Sequence, residues 1–168
     1  SFSYGNVIKE GVTVTIAGKP NSGKSSLLNA ILNDDKAIVS EIPGTTRDAI
    51  EDTCVINGIK FRFIDTAGLR ETKDTIESIG VEKAKSKVSK SRILIYLYDR
   101  ADITFEKLKS EIKTFKRDDL QIYLVENKID LLTNLKTDDL KGKLNNHFNK
   151  NEVNLMRIST LESEYIDK

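Results

Sequence analysis

The stretch VTVTIAGKPNSGKSSLLNAIL, residues 12–32, decides the fold class. Residues 12–17 are apolar or β-branched and predict a buried strand, whereas residues 24–32 predict a helix. Between them, residues 18–25 match the pattern G-x-x-x-x-G-K-S without a mismatch. A strand, a glycine-punctuated loop and a helix in this order are the context of a loop that binds the phosphates of a nucleoside triphosphate.

The chemistry of this phosphate loop follows from its residue types. Glycines let the backbone curl so that its N–H groups, with the start of the following helix, surround an anion. The Lys24 ammonium is expected to contact the β- and γ-phosphates and to assist catalysis, and the Ser25 hydroxyl to bind Mg²⁺. We predict that the nucleotide contacts Asn21, Ser22, Gly23, Lys24, Ser25 and Ser26.

The rest of the chain alternates strands with helices, which predicts parallel crossover connections. We expect an α/β fold of the P-loop NTPase type: a Ras-like, doubly wound, mostly parallel six-stranded sheet with one antiparallel edge strand. Asn57-Gly58 predicts the hairpin turn that makes this strand antiparallel. Residues 33–49 are predicted to be irregular. The predicted strands are 12–17, 50–56, 59–64, 93–98, 121–125 and 153–158, and the predicted helices are 24–32, 75–89, 104–116 and 134–148.

A second motif, Asn127-Lys128-Ile129-Asp130, follows a predicted strand and resembles the guanine-specificity motif N-K-x-D of GTPases. The Asp130 carboxylate would accept hydrogen bonds from N1–H and the 2-amino group of guanine, whereas adenine offers neither, and such a mismatch discriminates strongly. Asn127 is expected to bond the base and brace the phosphate loop, and the Lys128 stem to lie along the base. Ser159 and Thr160 end the last strand and are predicted to complete the base pocket.

Two further segments predict a magnesium site that responds to the γ-phosphate. Asp65 ends a strand in the run Asp-Thr-Ala-Gly and is expected to hold Mg²⁺ through water, while the Gly68 N–H faces the γ-phosphate. In the long loop, Thr46 is our choice for the threonine that binds Mg²⁺ only when the γ-phosphate is present, and Thr45 is its competitor. Segments ordered by γ-phosphate and magnesium are a common switching device.

Taken together, GKPNSGKSSLLNAIL at 18–32, PGTTRD at 43–48 and DTAGLRETKDTIESIGVEKA at 65–84 resemble the GTPase domain of the MnmE (TrmE) family of tRNA modification GTPases. The resemblance covers about residues 5–160, and the run D-x-x-E-x-x-G-V-E at 74–82 is its most specific part. The ribosome-assembly GTPases Era and Der share the phosphate loop and part of PGTTRD but do not typically carry that run. An Era- or Der-like RNA-docking switch is therefore the alternative.

The resemblance implies a larger protein, and a single cysteine, which allows no disulfide framework within the chain, fits a reduced, cytoplasmic setting. Residues 1–10 would lead in from a neighbouring helical domain, and residues 11–168 would form the GTPase domain, with the helix that should cover its last strand absent or displaced. Members of this family bind GTP and GDP and act with the flavoprotein MnmG on the wobble uridine of certain tRNAs. They use K⁺ and pair two G domains face to face as a homodimer.

The resemblance also bears on catalysis, because Leu69 stands where Ras-like enzymes carry a glutamine that orients the attacking water. By resemblance the substitute is Glu77, and Asn21 would help to hold K⁺. The residues alone favour the alternatives, in which Glu77 is a solvated helix carboxylate and Asn21 a turn former.

Composition excludes some classes of protein. Lys and Arg number 27 and Asp and Glu 26, which argues against a domain that grips nucleic acid by charge alone. The basic residues between Lys83 and Arg92 are predicted to be a solvated helix face rather than an RNA patch.

No apolar run has the length of a membrane span, so no membrane partner is expected. Cys54, the one cysteine, is predicted to be a buried structural thiol.

Overall fold

The backbone of the computed structural model follows the predicted alternation of strands and helices. The structure describes residues 10–39, 51–64, 66, 69, 81–128, 140–149, 151–159 and 164–165. Helices are α1 (Lys24–Leu32), α2 (Val81–Ser89), α3 (Phe105–Phe115) and α4 (Leu140–His147), and Arg100–Asp102 form a short 3₁₀ turn. Residues 75–80 and 134–139, also predicted to be helical, lie outside the described part. Within that part, no helix is both long and apolar enough to cross a membrane.

Neighbouring strands follow the order β2-β3-β4-β1-β5-β6-β7-β8. The five strands from β4 to β7 in this order are parallel to their neighbours, whereas β2–β3, β3–β4 and β7–β8 are antiparallel. The mostly parallel α/β sheet is therefore confirmed. The bounds are β1 (Val12–Gly18), β2 (Ala37–Val39), β3 (Asp52–Ile56), β4 (Ile59–Phe63), β5 (Ile93–Asp99), β6 (Gln121–Asn127), β7 (Val153–Ser159) and β8 (Glu164–Tyr165).

All six predicted strands are present, and two short strands extend the sheet at its edges. The prediction that 33–49 is irregular was wrong for β2, which pairs with β3 from Ala37↔Ile56 to Val39↔Cys54. The backbone groups along the outer edge of β3 need hydrogen-bond partners, and a β-branched apolar segment can supply them. We predicted that β3 is the edge strand. Because β2 pairs outside it, β3 is the second strand from that edge.

The hairpin between β3 and β4 turns at Asn57-Gly58, as predicted. Both residues have positive φ, 50° and 80°, which the tight turns between antiparallel strands require and which asparagine and glycine tolerate best. This connection fixes β3 antiparallel beside the parallel strands.

Alternate residues of the central strands pack on opposite faces of the sheet. Tyr96 and Leu124 belong to the cluster beneath α2, α3 and α4. Leu97 and Val125 belong to the cluster beneath α1. Cys54 is fully buried in the second cluster, and burial raises the pKa of its thiol, so it packs as a structural residue.

Parallel strands bring their carboxyl ends to one edge of the sheet, where α/β proteins bind their ligands. At that edge β1 runs into residues 18–23, β6 ends at Asn127 and β7 ends at Ser159. The fold therefore places the phosphate loop, the start of the guanine motif and the last strand's end together.

Candidate nucleotide-binding site

The phosphate loop leaves β1 at Gly18 and enters α1 at Gly23, which adopts a left-handed backbone with φ 97°. No side chain caps the first turn of α1, and that turn contains no acidic residue. The N–H groups at a helix start carry partial positive charge and need acceptors. This uncapped helix start, preceded by a turn with a left-handed glycine, fits a phosphate.

Lys24 curls back over the loop. Its Nζ donates hydrogen bonds to the carbonyl oxygens of Gly18 at 3.1 Å and Lys19 at 2.7 Å. These contacts hold the ammonium across the loop, where a negatively charged phosphate oxygen would be a stronger acceptor than either carbonyl because charge-assisted hydrogen bonds are the stronger ones.

The phosphate loop and the guanine motif are joined by a buried hydrogen bond. Asn127, only 1% exposed, donates from Nδ2 to the Ser22 carbonyl oxygen at 2.9 Å. This is the brace between the two loops that the sequence predicts. The Ser22 hydroxyl is also buried, and it has no hydrogen-bond partner among the described residues.

Asn21 also lies in a left-handed conformation, with φ 58°, and its side chain is exposed. Asparagine tolerates this region better than most residues, so the turn alone accounts for its presence. An amide oxygen is also a ligand that a cation accepts, so the same residue suits either role.

A turn that the sequence analysis missed contacts both loops. Lys128, at φ 61°, places Nζ 3.0 Å from Oδ2 of Asp99, and Lys19 Nζ donates to the Asp102 carbonyl oxygen at 2.6 Å. The Asp99 side chain also accepts from the Ala101 N–H at 3.0 Å, which caps the 3₁₀ turn. Residues 99–102 therefore tie the phosphate loop to the guanine motif.

The predicted magnesium ligands are only partly described. Ser25 lies half-buried in the first turn of α1, next to the phosphate loop. Of the switch segment, the structure describes Thr66, which is buried, and Leu69, whose N–H donates to the Thr66 carbonyl oxygen at 2.9 Å. The predicted site residues outside the described part are Thr45, Thr46, Asp65, Gly68, Glu77, Asp130 and Thr160.

At the end of β7, Ser159 is buried beside the strand that carries the guanine motif. Gly23 and Ser26 belong to the turn and first helical residues of the phosphate loop. The described members of the predicted site therefore share one edge of the sheet.

Comparison with known proteins agrees with this geometry. Residues 13–128 match the model of the family described as 50S ribosome-binding GTPase. A crystal structure of Era in complex with MgGDPNP and nucleotides 1506–1542 of 16S ribosomal RNA is 29% identical, with a TM-score of 0.61, and covers 90% of this chain and 52% of that chain. The G domain of the FeoB iron transporter from T. maritima, 21% identical with a TM-score of 0.56 over 91% of this chain and 90% of that chain, shares the fold.

Curated relatives confirm the resemblance described from the sequence. The tRNA modification GTPase MnmE of Bacteroides fragilis is 46% identical over 100% of this chain and 36% of its own length. MnmE of Flavobacterium johnsoniae is 49% identical over 87% of this chain and 32% of its own length. The chain thus spans about a third of these relatives. Because the family model covers more than half of the chain, this GTPase domain belongs to the family of 50S ribosome-binding GTPases.

Proposed function

We propose that this domain binds GTP through the phosphate loop and the guanine motif and hydrolyses it in service of tRNA wobble-uridine modification. The observation that carries the first part is the hydrogen bond from Asn127 to Ser22, which joins the two recognition loops at one edge of the sheet. The second part rests on the MnmE relatives, which are named for tRNA modification.

In this proposal each loop has a separate task. Backbone N–H groups of the phosphate loop and of the start of α1 bind the β- and γ-phosphates, and the Lys24 ammonium contacts the oxygens of the same phosphates. Asp130 accepts hydrogen bonds from N1–H and the 2-amino group of guanine. Asn127 holds the guanine motif against the phosphate loop through its hydrogen bond to Ser22. Ser159 and Thr160 close the base pocket.

Ser25, Thr46 and Asp65 would hold Mg²⁺, which supplies positive charge that neutralises the phosphate oxygens. Thr45 remains the alternative to Thr46. The Gly68 N–H would donate to the γ-phosphate, so that both segments would contact GTP through the group that hydrolysis removes.

We further propose that K⁺ and a face-to-face homodimer of G domains stimulate hydrolysis. The exposed amide of Asn21 would bind K⁺, whose charge would act at the β–γ bridge, where negative charge builds in the transition state. Hydrolysis should then be at least about tenfold faster in K⁺ than in Na⁺ at equal ionic strength, and Asn21→Ala should abolish the difference.

The measurement is single-turnover hydrolysis at a protein concentration where light scattering detects the dimer. Ser26→Ala, an exposed neighbour in α1, is the matched control and should keep the preference for K⁺. Equal rates of the wild type in the two salts at that concentration would contradict the proposal.

In the whole protein, we propose that residues 11–168 act as the GTPase domain beside the domain that residues 1–10 lead in from. The partners would be MnmG and tRNA, in the cytoplasm. On the α1 face of the sheet, Ile93, Ile95, Tyr123 and Met156 are only partly buried, which supports a further covering element on that face.

A cell lacking the gene tests the link to tRNA. The full-length protein should restore wobble-uridine modification, measured by mass spectrometry of digested tRNA, whereas Lys24→Ala should not, because the loop then lacks its phosphate-binding ammonium. Lys113→Ala, an exposed lysine of α3, should restore it fully. Unmodified tRNA in the cells complemented with wild type would refute the link.

The second candidate is an RNA-docking switch in ribosome assembly. The similarity to Era, whose crystal structure contains 16S ribosomal RNA, is the observation in its favour. A ribosome-assembly defect in the same deletion cells, with normal wobble-uridine modification, would favour this candidate.

A further inference from the structure

A buried carboxylate directly precedes the guanine motif. Glu126 is the second-last residue of β6, and its side chain is only 4% exposed. Charged residues are rarely buried so deeply unless they are paired. The neighbouring Asn127 points to the opposite face of the sheet, where it reaches Ser22.

Two arginines from the adjacent strand ends face this carboxylate. Nε of Arg157, in β7, lies 3.1 Å from Glu126 Oε2, and Nη1 of Arg100 lies 3.9 Å from Oε1. The strand register aligns Tyr98, Glu126 and Arg157 in one row across β5, β6 and β7. Burial first, and then the charge of Glu126, raise the pKa of Tyr98, while Arg157 and Arg100 act in the opposite direction.

The geometry of this cluster is not what stability alone would favour. Among the described residues, Glu126 Oε1 and Arg157 Nε are buried and make no hydrogen bond of good geometry, although both lie within ion-pair distance of an opposite charge. Desolvation of a buried ion pair offsets much of its attraction, and hydrophobic residues of similar volume often serve stability as well or better. The pair therefore calls for an explanation other than the stability of the sheet.

The cluster lies where the connections between nucleotide loops converge. Arg100 belongs to the 99–102 turn, which contacts Lys128 through Asp99 and Lys19 through the Asp102 carbonyl oxygen. Glu126 also directly precedes Asn127 in the chain. One carboxylate thus links the ends of β5, β6 and β7 at the point from which the guanine motif leaves the sheet.

We propose that Glu126 and Arg157 are positioning residues for guanine recognition: their ion pair fixes the end of β6 so that Asn127 and Lys128 leave the sheet in the orientation that selects guanine. The inference deepens the proposed function and rests on it. The ion pair acts through Asn127 and Lys128 and requires no contact between Glu126 and the nucleotide.

The experiment compares GDP with inosine diphosphate, which lacks the 2-amino group, in the intact protein. Glu126→Gln leaves two arginines around a neutral amide, so we expect GDP to bind about tenfold more weakly, with a reduced preference for GDP over inosine diphosphate. The double variant Glu126→Met/Arg157→Met removes both charges, so its thermal midpoint without nucleotide should return near that of the wild type. Its preference for GDP should remain reduced by about threefold or more.

This combination separates positioning from stability. If the double variant keeps the wild-type preference for GDP over inosine diphosphate, the inference is overturned. If Glu126→Gln does not fold, the nucleotide preference of the double variant is sufficient to test the inference. The control is the exposed Lys116–Glu152 ion pair, 2.9 Å apart, which joins the residue after α3 to the residue before β7, at the end of β7 away from the guanine motif. Glu152→Gln should leave both affinities unchanged, and an equal loss there would also overturn the inference. A wild type that binds no GDP refutes the proposed function itself, whereas unchanged variants of a GDP-binding wild type refute only the positioning role.

Discussion

Gly18→Ala is expected to destabilise the folded protein strongly, because the phosphate loop begins at this residue. Gly18 has φ 148°, and a Cβ built on it would lie 2.2 Å from the carbonyl oxygen of Leu97 and 3.0 Å from Ser22 Oγ. The first contact is with the backbone of β5, the strand paired with β1, so neither side can move without breaking the sheet. We expect a loss of about 3 kcal/mol or more in the free energy of unfolding.

The matched control for Gly18→Ala is Gly58→Ala in the β3–β4 turn. Gly58 also has positive φ, 80°, but a Cβ there would meet no atom within 4 Å. It should lose only about 1 kcal/mol, the cost of a left-handed alanine. Denaturant unfolding followed by circular dichroism measures both, and equal losses in the two variants would show that the contact with Leu97 does not matter.

Sequence predicts the central part of this fold because its patterns are local. The β-branched run of β1, the glycines of the phosphate loop and the Asn57-Gly58 turn each restrict the backbone within a few residues. The two recognition motifs can also be placed at one sheet edge, since parallel strands share the direction of their carboxyl ends. The brace from Asn127 to Ser22 follows from that placement.

What sequence did not predict depends on distant partners. Ala37–Val39 becomes a strand only because β3 offers an open edge. Likewise, Glu126 falls just after the predicted end of β6, and its pairing with Arg157 requires the β6–β7 register. A glutamate between the apolar run 122–125 and Asn127 was the local indication of a buried charge.

Leu69 stands where Ras-like enzymes carry the glutamine that orients the water attacking GTP. Leu69 is half-buried and packs against the apolar cluster beneath α1. Its side chain has no polar atom, so it cannot orient a water molecule. We propose that Glu77 supplies the missing acceptor, because a carboxylate near the switch segment can hold a water in line with the γ-phosphate, directly or through a second water.

Glu77→Ala should therefore slow single-turnover GTP hydrolysis in K⁺ by about 10²- to 10⁴-fold, the usual contribution of a positioned acid–base group. GTP and GDP affinities should change little, because the proposed contact is to water rather than to the nucleotide. Glu71→Ala, a carboxylate of the same segment without an assigned role, is the control. Should Glu77→Ala hydrolyse GTP at the wild-type rate, or Glu71→Ala be the inactive variant, Glu77 is an ordinary solvated helix residue and the acceptor must come from another part of the chain or its partner.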